Sequence, residues 1–333
     1  LEADAWCAAF VQRQQAHSVP ISTATVRAAA EGTLTDDAAR HVQALAVEYR
    51  FFHWYLEFPD VFNVSPATTS APNGWRGGFT AMVGNPPWER IKLQEQEFFA
   101  QRDARVAQAP NAAARKRLIA ALTDTQPTLA AQWRAASRQS EATSHLLRKS
   151  GRYPLCGVGD VNTYSVFAEL FRSTIAHDGR MGIITPTGLA TDATTAAFFA
   201  DTVKHKRLVS FLDFVTGTRI WSGIGHNRFR FAVTSITGGS PAGEVVLAFD
   251  NRHPDDLIAA GATFTLAAHE ILLLNPNTGT LPIFASRKDA EITLGIYRRH
   301  PVLMNDADGT NPWGLRFGTL FHMTNDSGLF RTA

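Results

Sequence analysis

The sequence predicts an α/β fold built on a mainly parallel sheet. Three observations carry that expectation. Short apolar runs at Phe79–Val83, Arg180–Thr185 and Leu208–Phe214 have the length of buried strands. Stretches with apolar residues every three to four positions stand between them, as at Tyr164, Phe167, Ala168, Phe171 and Ile175. Hydrophobic residues are 45% of the 333, and charged residues 19%, enough to bury a core.

In chain order, residues 1 to about 50 read as a helical N-terminal segment, clearest at Asp37–Tyr49, where Ala38, Val42, Leu45, Ala46 and Tyr49 share a face. The segment starts at Leu1, in a stretch with helical spacing, and reads as part of a longer protein. Phe51–Phe62 is strongly aromatic, and Pro59 forbids a continuous helix through it. Asn63–Gly77, rich in Pro, Ser, Thr and Gly, is a loop into the strand Phe79–Val83. Residues 94–150 predict an inserted helical hairpin, broken at Gln126-Pro127. Its arginines (Arg102, Arg105, Arg115, Arg117, Arg148) suit either phosphates or a solvated face. The helix Asn162–Ile175 closes at His177-Asp178-Gly179. Pro186 stops the strand that follows. Thr191 or Asp192 caps a helix running to about Val203, and the cations Lys204-His205-Lys206-Arg207 suit its C-terminus. Beyond the strand Leu208–Phe214, the glycine-rich Thr216–Asn227 loop leads to an alternating strand, Arg228–Ile236. After Gly238-Gly239-Ser240-Pro241 the pattern weakens to a strand near Gly243–Phe249 and a helix near Asp289–Arg299. The domain reading is therefore residues 1–50, a core over 51–237 carrying the insertion, and a C-terminal extension over 238–333.

Composition bounds the function. A formal charge of +2 neither requires nor forbids a nucleic-acid partner. Two cysteines, Cys7 and Cys156, form neither a disulfide framework nor a metal cluster, which points to a reducing cytoplasm and no metal. No run of 18 apolar residues predicts a membrane span.

The sharpest signal is Gly84-Asn85-Pro86-Pro87-Trp88, directly after an apolar strand. In an open α/β sheet, ligands bind at the carboxyl ends of strands. An exocyclic amino nitrogen on a base is a poor nucleophile because its lone pair is delocalised into the ring. Two acceptors aimed at its hydrogens favour a tetrahedral nitrogen and free that pair. The side-chain oxygen of Asn85 is one such acceptor and the carbonyl of Pro86 the other. Pro87 restricts Pro86 to extended geometry, which fixes its carbonyl, and neither proline brings an N–H to compete. Trp88 offers a face for stacking a base, worth about 1–3 kcal/mol per base. Such a base must first leave the duplex. The alternative is an ordinary turn after a strand.

The chain resembles the gamma-type adenine-N6 DNA methyltransferases, in particular the large bacterial enzymes of restriction-modification and phage-defence systems. Asn85, Pro86, Pro87 and Trp88 match that family's catalytic loop. The aromatic segment His53–Pro59, the block Asp160–Tyr164 followed by Gly179–Pro186, and the segments Asn275–Tyr297 and Trp313–Phe330 are similar to further blocks of those proteins. The resemblance implies part of a Rossmann-like methyltransferase core, S-adenosylmethionine as cofactor with Gly84 and Asn85 at its border, and double-stranded DNA as partner. It also implies association with a nuclease or helicase of the same system. A second aromatic facing the extruded base is implied too. Phe229 and Phe231, which share a strand face, are the candidates, with Phe214 behind them. One departure stands out: the acidic residue and Gly-x-Gly turn with which the family holds its cofactor have no counterpart in residues 1–84 or toward the C-terminus. Two rivals remain open, a protein-glutamine N-methyltransferase and a DNA-binding scaffold with a vestigial methyltransferase domain.

Overall fold

A computed structural model describes residues 1–13, 20–68, 71, 73–216, 229–259, 261–322 and 325–330. The N-terminal helices are α1 (Glu2–Val11), α2 (Thr23–Ala30), α3 (Asp36–Tyr49) and the short α4 (Trp54–Glu57). The hairpin of β1 (Phe62–Asn63) and β2 (Arg76–Gly77) precedes β3 (Phe79–Gly84). The insertion comprises α5 (Glu95–Ala100), α6 (Ala104–Ala107), α7 (Ala112–Thr125) and α8 (Pro127–Lys149), and α9 (Thr163–Thr174) follows it. Then come β4 (Ile175–Pro186), α10 (Gly188–Thr191), α11 (Ala196–Lys204), β5 (Leu208–Val215) and β6 (Arg230–Thr237). The chain continues through β7 (Val245–Asn251), β8 (Phe264–Leu266), α12 (Ala268–Leu274) and α13 (Arg287–Arg299).

Local chemistry explains the boundaries. Asn111 caps α7 by accepting the Ala114 N–H at 2.9 Å. Pro127 opens α8 at its first turn, where the missing N–H costs nothing. The break expected at Gln126-Pro127 therefore separates two helices. The turn expected at His177–Gly179 lies inside β4 instead, as an irregularity in its register with β3.

The main sheet runs β3-β4-β6-β5-β7-β8. Four of its six strands, β3, β4, β5 and β7, point the same way, as expected of a mainly parallel sheet, and β6 and β8 run against them. β3/β4 and β5/β7 are parallel, while β4/β6, β5/β6 and β7/β8 are antiparallel. A parallel return after β5 needs a crossover, usually a helix, and the glycine-rich 216–229 segment offers no helical pattern, in keeping with β6 coming back antiparallel beside β5. Most of that segment, with His226 and Arg228, lies outside the described residues. β7 and β8 extend the same sheet, and Ile271, Leu274, Leu281, Phe284, Ala290 and Leu294 join its core.

The principal core packs α9 and α11 against β4, β5 and β6 around Met181, Ile183, Phe198, Phe199 and Phe211. Two smaller clusters stabilise the helical part. One joins α1–α3 to Ala142 and Leu146 of α8. The other gathers Phe99, Val106, Leu122 and Leu129, with the Phe98 and Phe99 rings each 5.1 Å from Trp133. β3 ends the sheet with an uncovered side, and Val83 is 87% exposed there.

Candidate active site

Asn85 to Trp88 leave β3 at its carboxyl end. Gly84 just before them allows a close approach, since a Cβ there would lie 3.0 Å from two ring carbons of Phe171 on α9 and that ring would have to shift by a few tenths of an ångström. That contact seats the end of the strand on the helix.

The backbone beyond Pro86 is clamped at two points. Thr163, the first residue of α9, donates its hydroxyl to the Pro87 carbonyl (2.6 Å), and the same oxygen receives the Glu89 N–H (3.0 Å). The Thr163 N–H donates to the Glu89 carbonyl (2.9 Å), and the Ile91 N–H to the Val161 carbonyl (3.1 Å). Farther on, the Ser140 hydroxyl of α8 donates to the Ile91 carbonyl (2.5 Å) and accepts the Leu93 N–H (3.0 Å). The inserted helix and α9 thus share the task of fixing one loop.

Against this rigid backbone, the Asn85 side chain stands exposed. Neither its amide nor the Pro86 carbonyl enters a hydrogen bond among the described residues. Trp88 packs on the principal core, its ring centroid 6.5 Å from that of Phe231 and tilted by 32°. Phe231 in turn stacks on Phe214 at 5.3 Å and 13°. Of the expected aromatics, Phe231 and Phe214 are buried beside Trp88, while Phe229 is 46% exposed. Trp88 Nε1 is buried with no acceptor among the described residues.

Sequence reasoning missed the group behind this stack. Asp213, fully buried on β5, accepts the Thr187 hydroxyl (2.7 Å), the Asp250 N–H (3.0 Å) and two Arg230 nitrogens. Arg230 also pairs with Asp250 at 2.7 Å. Burial works against the Arg230 charge, yet the bonds to Asp213 and then Asp250 hold its pKa above the ordinary guanidinium value. Arg230 and Phe231 are successive strand residues, so this network and the aromatic stack sit on opposite faces of one sheet. The signal was visible as a lone acid in the apolar strand Leu208–Val215.

A cavity of about 540 Å³ opens beside the loop, between its exit and α8. Arg90, Lys92, Arg148 and Lys149 line it with Glu141 and Asp160, four cations against two carboxylates. Of the five arginines weighed from the sequence, Arg148 lines this groove. Arg105 pairs with Asp103, buried Arg115 lies 3.8 Å from Glu95, and Arg102 covers the Phe98 ring. Among the other segments, His53 meets Asp4 at 3.0 Å in a partly buried contact and His205 bonds within the end of α11.

Among the described residues no group of three or more His, Cys, Asp or Glu could hold a metal ion, and no helix is long and apolar enough to cross a membrane. Gly84 and Asn85, the residues expected to border S-adenosylmethionine, stand at the end of β3. The acidic residue and Gly-x-Gly turn expected with them have no counterpart in residues 1–84 or toward the C-terminus, so these residues do not by themselves form a cofactor cradle.

No family model matches the chain, and no curated protein matches it. Solved structures do. The methyltransferase subunit of a type I restriction-modification system from Streptococcus thermophilus aligns over 66% of this chain and 40% of its own, at 11% identity and a TM-score of 0.35. A modification subunit of a putative type I restriction enzyme from Vibrio vulnificus YJ016 aligns over 40% of this chain and 34% of its own, at 11% identity and a TM-score of 0.29. The ATP-dependent type ISP restriction-modification enzyme LlaBIII, bound to DNA, aligns over 52% of this chain and 10% of its own, at 10% identity and 0.27. The chain thus spans less than half the length of each, and at these scores no property of theirs carries over to it.

Proposed function

We propose that this chain carries the catalytic loop of an adenine-specific DNA methyltransferase that uses S-adenosylmethionine, acting in the bacterial cytoplasm within a restriction-modification or phage-defence system. One observation carries the reading. An exposed asparagine amide and an adjacent proline carbonyl, both free of other hydrogen bonds among the described residues, stand on a backbone pinned from two sides at the end of a strand. In this reading Asn85 and the Pro86 carbonyl accept the two hydrogens of the adenine N6 amino group and leave its lone pair directed outward. Trp88 supports the extruded base, with Phe231 behind it and Phe229 nearer solvent. Gly84 and Asn85 border the methyl donor, which supplies the electrophilic methyl group. Holding the nitrogen in line and complementing its changing charge supply most of the acceleration.

Double-stranded DNA is the partner this reading requires, and the groove lined by Arg90, Lys92, Arg148 and Lys149 suits the phosphates that flank an extruded base. A nuclease or helicase of the same system is a further proposed partner. The missing glycine turn favours a second reading, in which the domain is a DNA-binding scaffold with an idle methyltransferase loop. The two are separated by labelled-methyl transfer from S-adenosylmethionine to unmethylated DNA, with this chain in its native flanking sequence. Label on adenine N6 that disappears in Asn85→Ala supports the enzyme. Transfer that persists in that variant sinks the loop assignment, and DNA binding without transfer or cofactor binding supports the scaffold.

A further inference from the structure

A second cavity, also about 540 Å³, lies at the other end of the sheet. Its wall includes Gly77, the last residue of β2 just before β3, and Ile175, at the start of β4. Along β3 from Phe79 to Asn85 the chain rises roughly 20 Å at about 3.3 Å per strand residue, so this cavity is remote from the candidate catalytic loop.

Three guanidinium groups line it, those of Arg152, Arg172 and Arg207, with one carboxylate, Glu169. That carboxylate is already committed, since it accepts the N–H groups of Leu155 (3.1 Å) and Cys156 (2.8 Å). Arg172 is partly committed. It donates to Asp201 (2.7 Å) and Thr202 (2.9 Å) and its side chain is 11% exposed. Arg207 is half-buried, and its guanidinium forms no ion pair or hydrogen bond among the described residues. Arg152 also lacks a carboxylate partner among them, its guanidinium lying 5.8 Å from the Trp6 ring. Burial, and then the like charge of Arg172, lower the pKa of Arg207. Asp201, the carboxylate acting on Arg207, is already paired with Arg172, so two guanidinium groups share one carboxylate beside a cavity large enough for a small molecule.

We propose that this cavity is a phosphate-binding site, with the phosphate of a nucleotide-sized ligand held between Arg172 and Arg207 and approached by Arg152. The planar fork of arginine matches the paired oxygens of a phosphate, which can be held by two nitrogens at once. Trp75 and Asn73 on the same wall provide a ring and an amide for the rest of the ligand. The site is independent of the methyl-transfer reading and does not depend on Asn85.

The test uses this chain and three probes: pyrophosphate, ATP, and a short DNA duplex, each against potassium chloride of equal ionic strength. Thermal unfolding should shift upward with pyrophosphate and ATP beyond the salt control. Arg207→Ala should raise the half-effective concentration at least about tenfold, because a charge-assisted contact is lost, and Arg207→Lys should retain part of the effect. Arg152→Ala, a peripheral change, should weaken it less. Protection by the duplex alone, lost in Arg207→Ala, would assign the phosphate to DNA rather than to a free nucleotide. Shifts no larger than those in potassium chloride, or equal shifts in wild type, Arg207→Ala and Arg152→Ala, would overturn the site. An unchanged Asn85→Ala response, with transfer failing, separates this site from the catalytic reading.

Discussion

Asp213→Asn is the substitution whose consequence follows most directly from the geometry. Asp213 is completely buried and joins four strand ends: Thr187 after β4, its own β5, Arg230 of β6 and the Asp250 N–H of β7. Asparagine keeps the shape but loses the charge, and turns an NH2 toward neighbours that are themselves donors. Breaking a buried ion pair from one side costs about 3–5 kcal/mol. Arg230 keeps Asp250 at 2.7 Å, and Asp250 is 54% exposed, so part of the guanidinium charge stays compensated. The lower end, about 3 kcal/mol, is therefore expected. With a urea slope near 3 kcal/mol/M, the unfolding midpoint should fall by about 1 M. Urea titration followed by far-ultraviolet circular dichroism measures this. Adding Arg230→Met to Asp213→Asn should recover part of the loss, because it removes the uncompensated cation. A midpoint within about 0.2 M of wild type would refute the reasoning, since the network would then contribute almost nothing.

Three further outcomes are expected. Thr163→Val removes the hydroxyl that holds Pro87 and Glu89, and in the complete enzyme should lower kcat by about 10²-fold through a misplaced loop, with KM for DNA little changed and Thr163→Ser restoring most of the rate. Lys92→Ala with Lys149→Ala should weaken duplex binding and flatten the plot of log Kd against log salt by about 1.8, near 0.9 per lost phosphate contact, as measured by fluorescence anisotropy. Asp103 has its pKa pulled from 3.8 to about 2, first by its hydrogen bond with Arg105 and then by Gln126 and the N–H groups of Val106 and Arg105. A depressed acid stabilises the fold above its unfolded pKa. That contribution should disappear as pH falls from about 4 through about 2, and acid unfolding in this window should be shallower in Asp103→Asn.

Much of the fold could be read from the sequence because it is written in local patterns. The apolar runs gave β3, the second half of β4 and β5, and the Gln126-Pro127 break separates α7 from α8 as expected. What was hidden depends on partners far along the chain. The direction of β6 is seen only in its antiparallel pairing with β4 and β5, and β8 is three residues long, too short for a periodic signal. Three of the expected site residues illustrate the same limit. Phe229 and Phe231 stood ahead of Phe214 as aromatics sharing a strand face, but the register pairs Phe214 with Phe231 in the core and leaves Phe229 partly outside. Thr163 and Ser140 are small polar residues 74 and 49 positions from the groups they clamp, and no spacing rule links them.

The division of labour around Asn85 explains why an insertion belongs at this point in the chain. Under the proposed function, a loop that presents two acceptors cannot spend them on its own backbone. Pro86 and Pro87 help by having no N–H groups to satisfy. That economy also deprives the loop of internal hydrogen bonds, so its conformation must be imposed from outside. Thr163 does this at Pro87 and Glu89, and Ser140 does it at Ile91 and Leu93. Ser140 lies on α8, which is anchored in turn to α1–α3 through Ala142 and Leu146. The helical layer is therefore mechanically continuous with the loop. Loosening it should disturb the position of the loop without touching Asn85, and the same helix brings Arg148 and Lys149 to the groove that Arg90 and Lys92 enter directly from the loop. One inserted element thus pins the loop at Ile91 and Leu93 and supplies half of the neighbouring cations; under the proposed function this would couple the position of the extruded base to that of the DNA backbone.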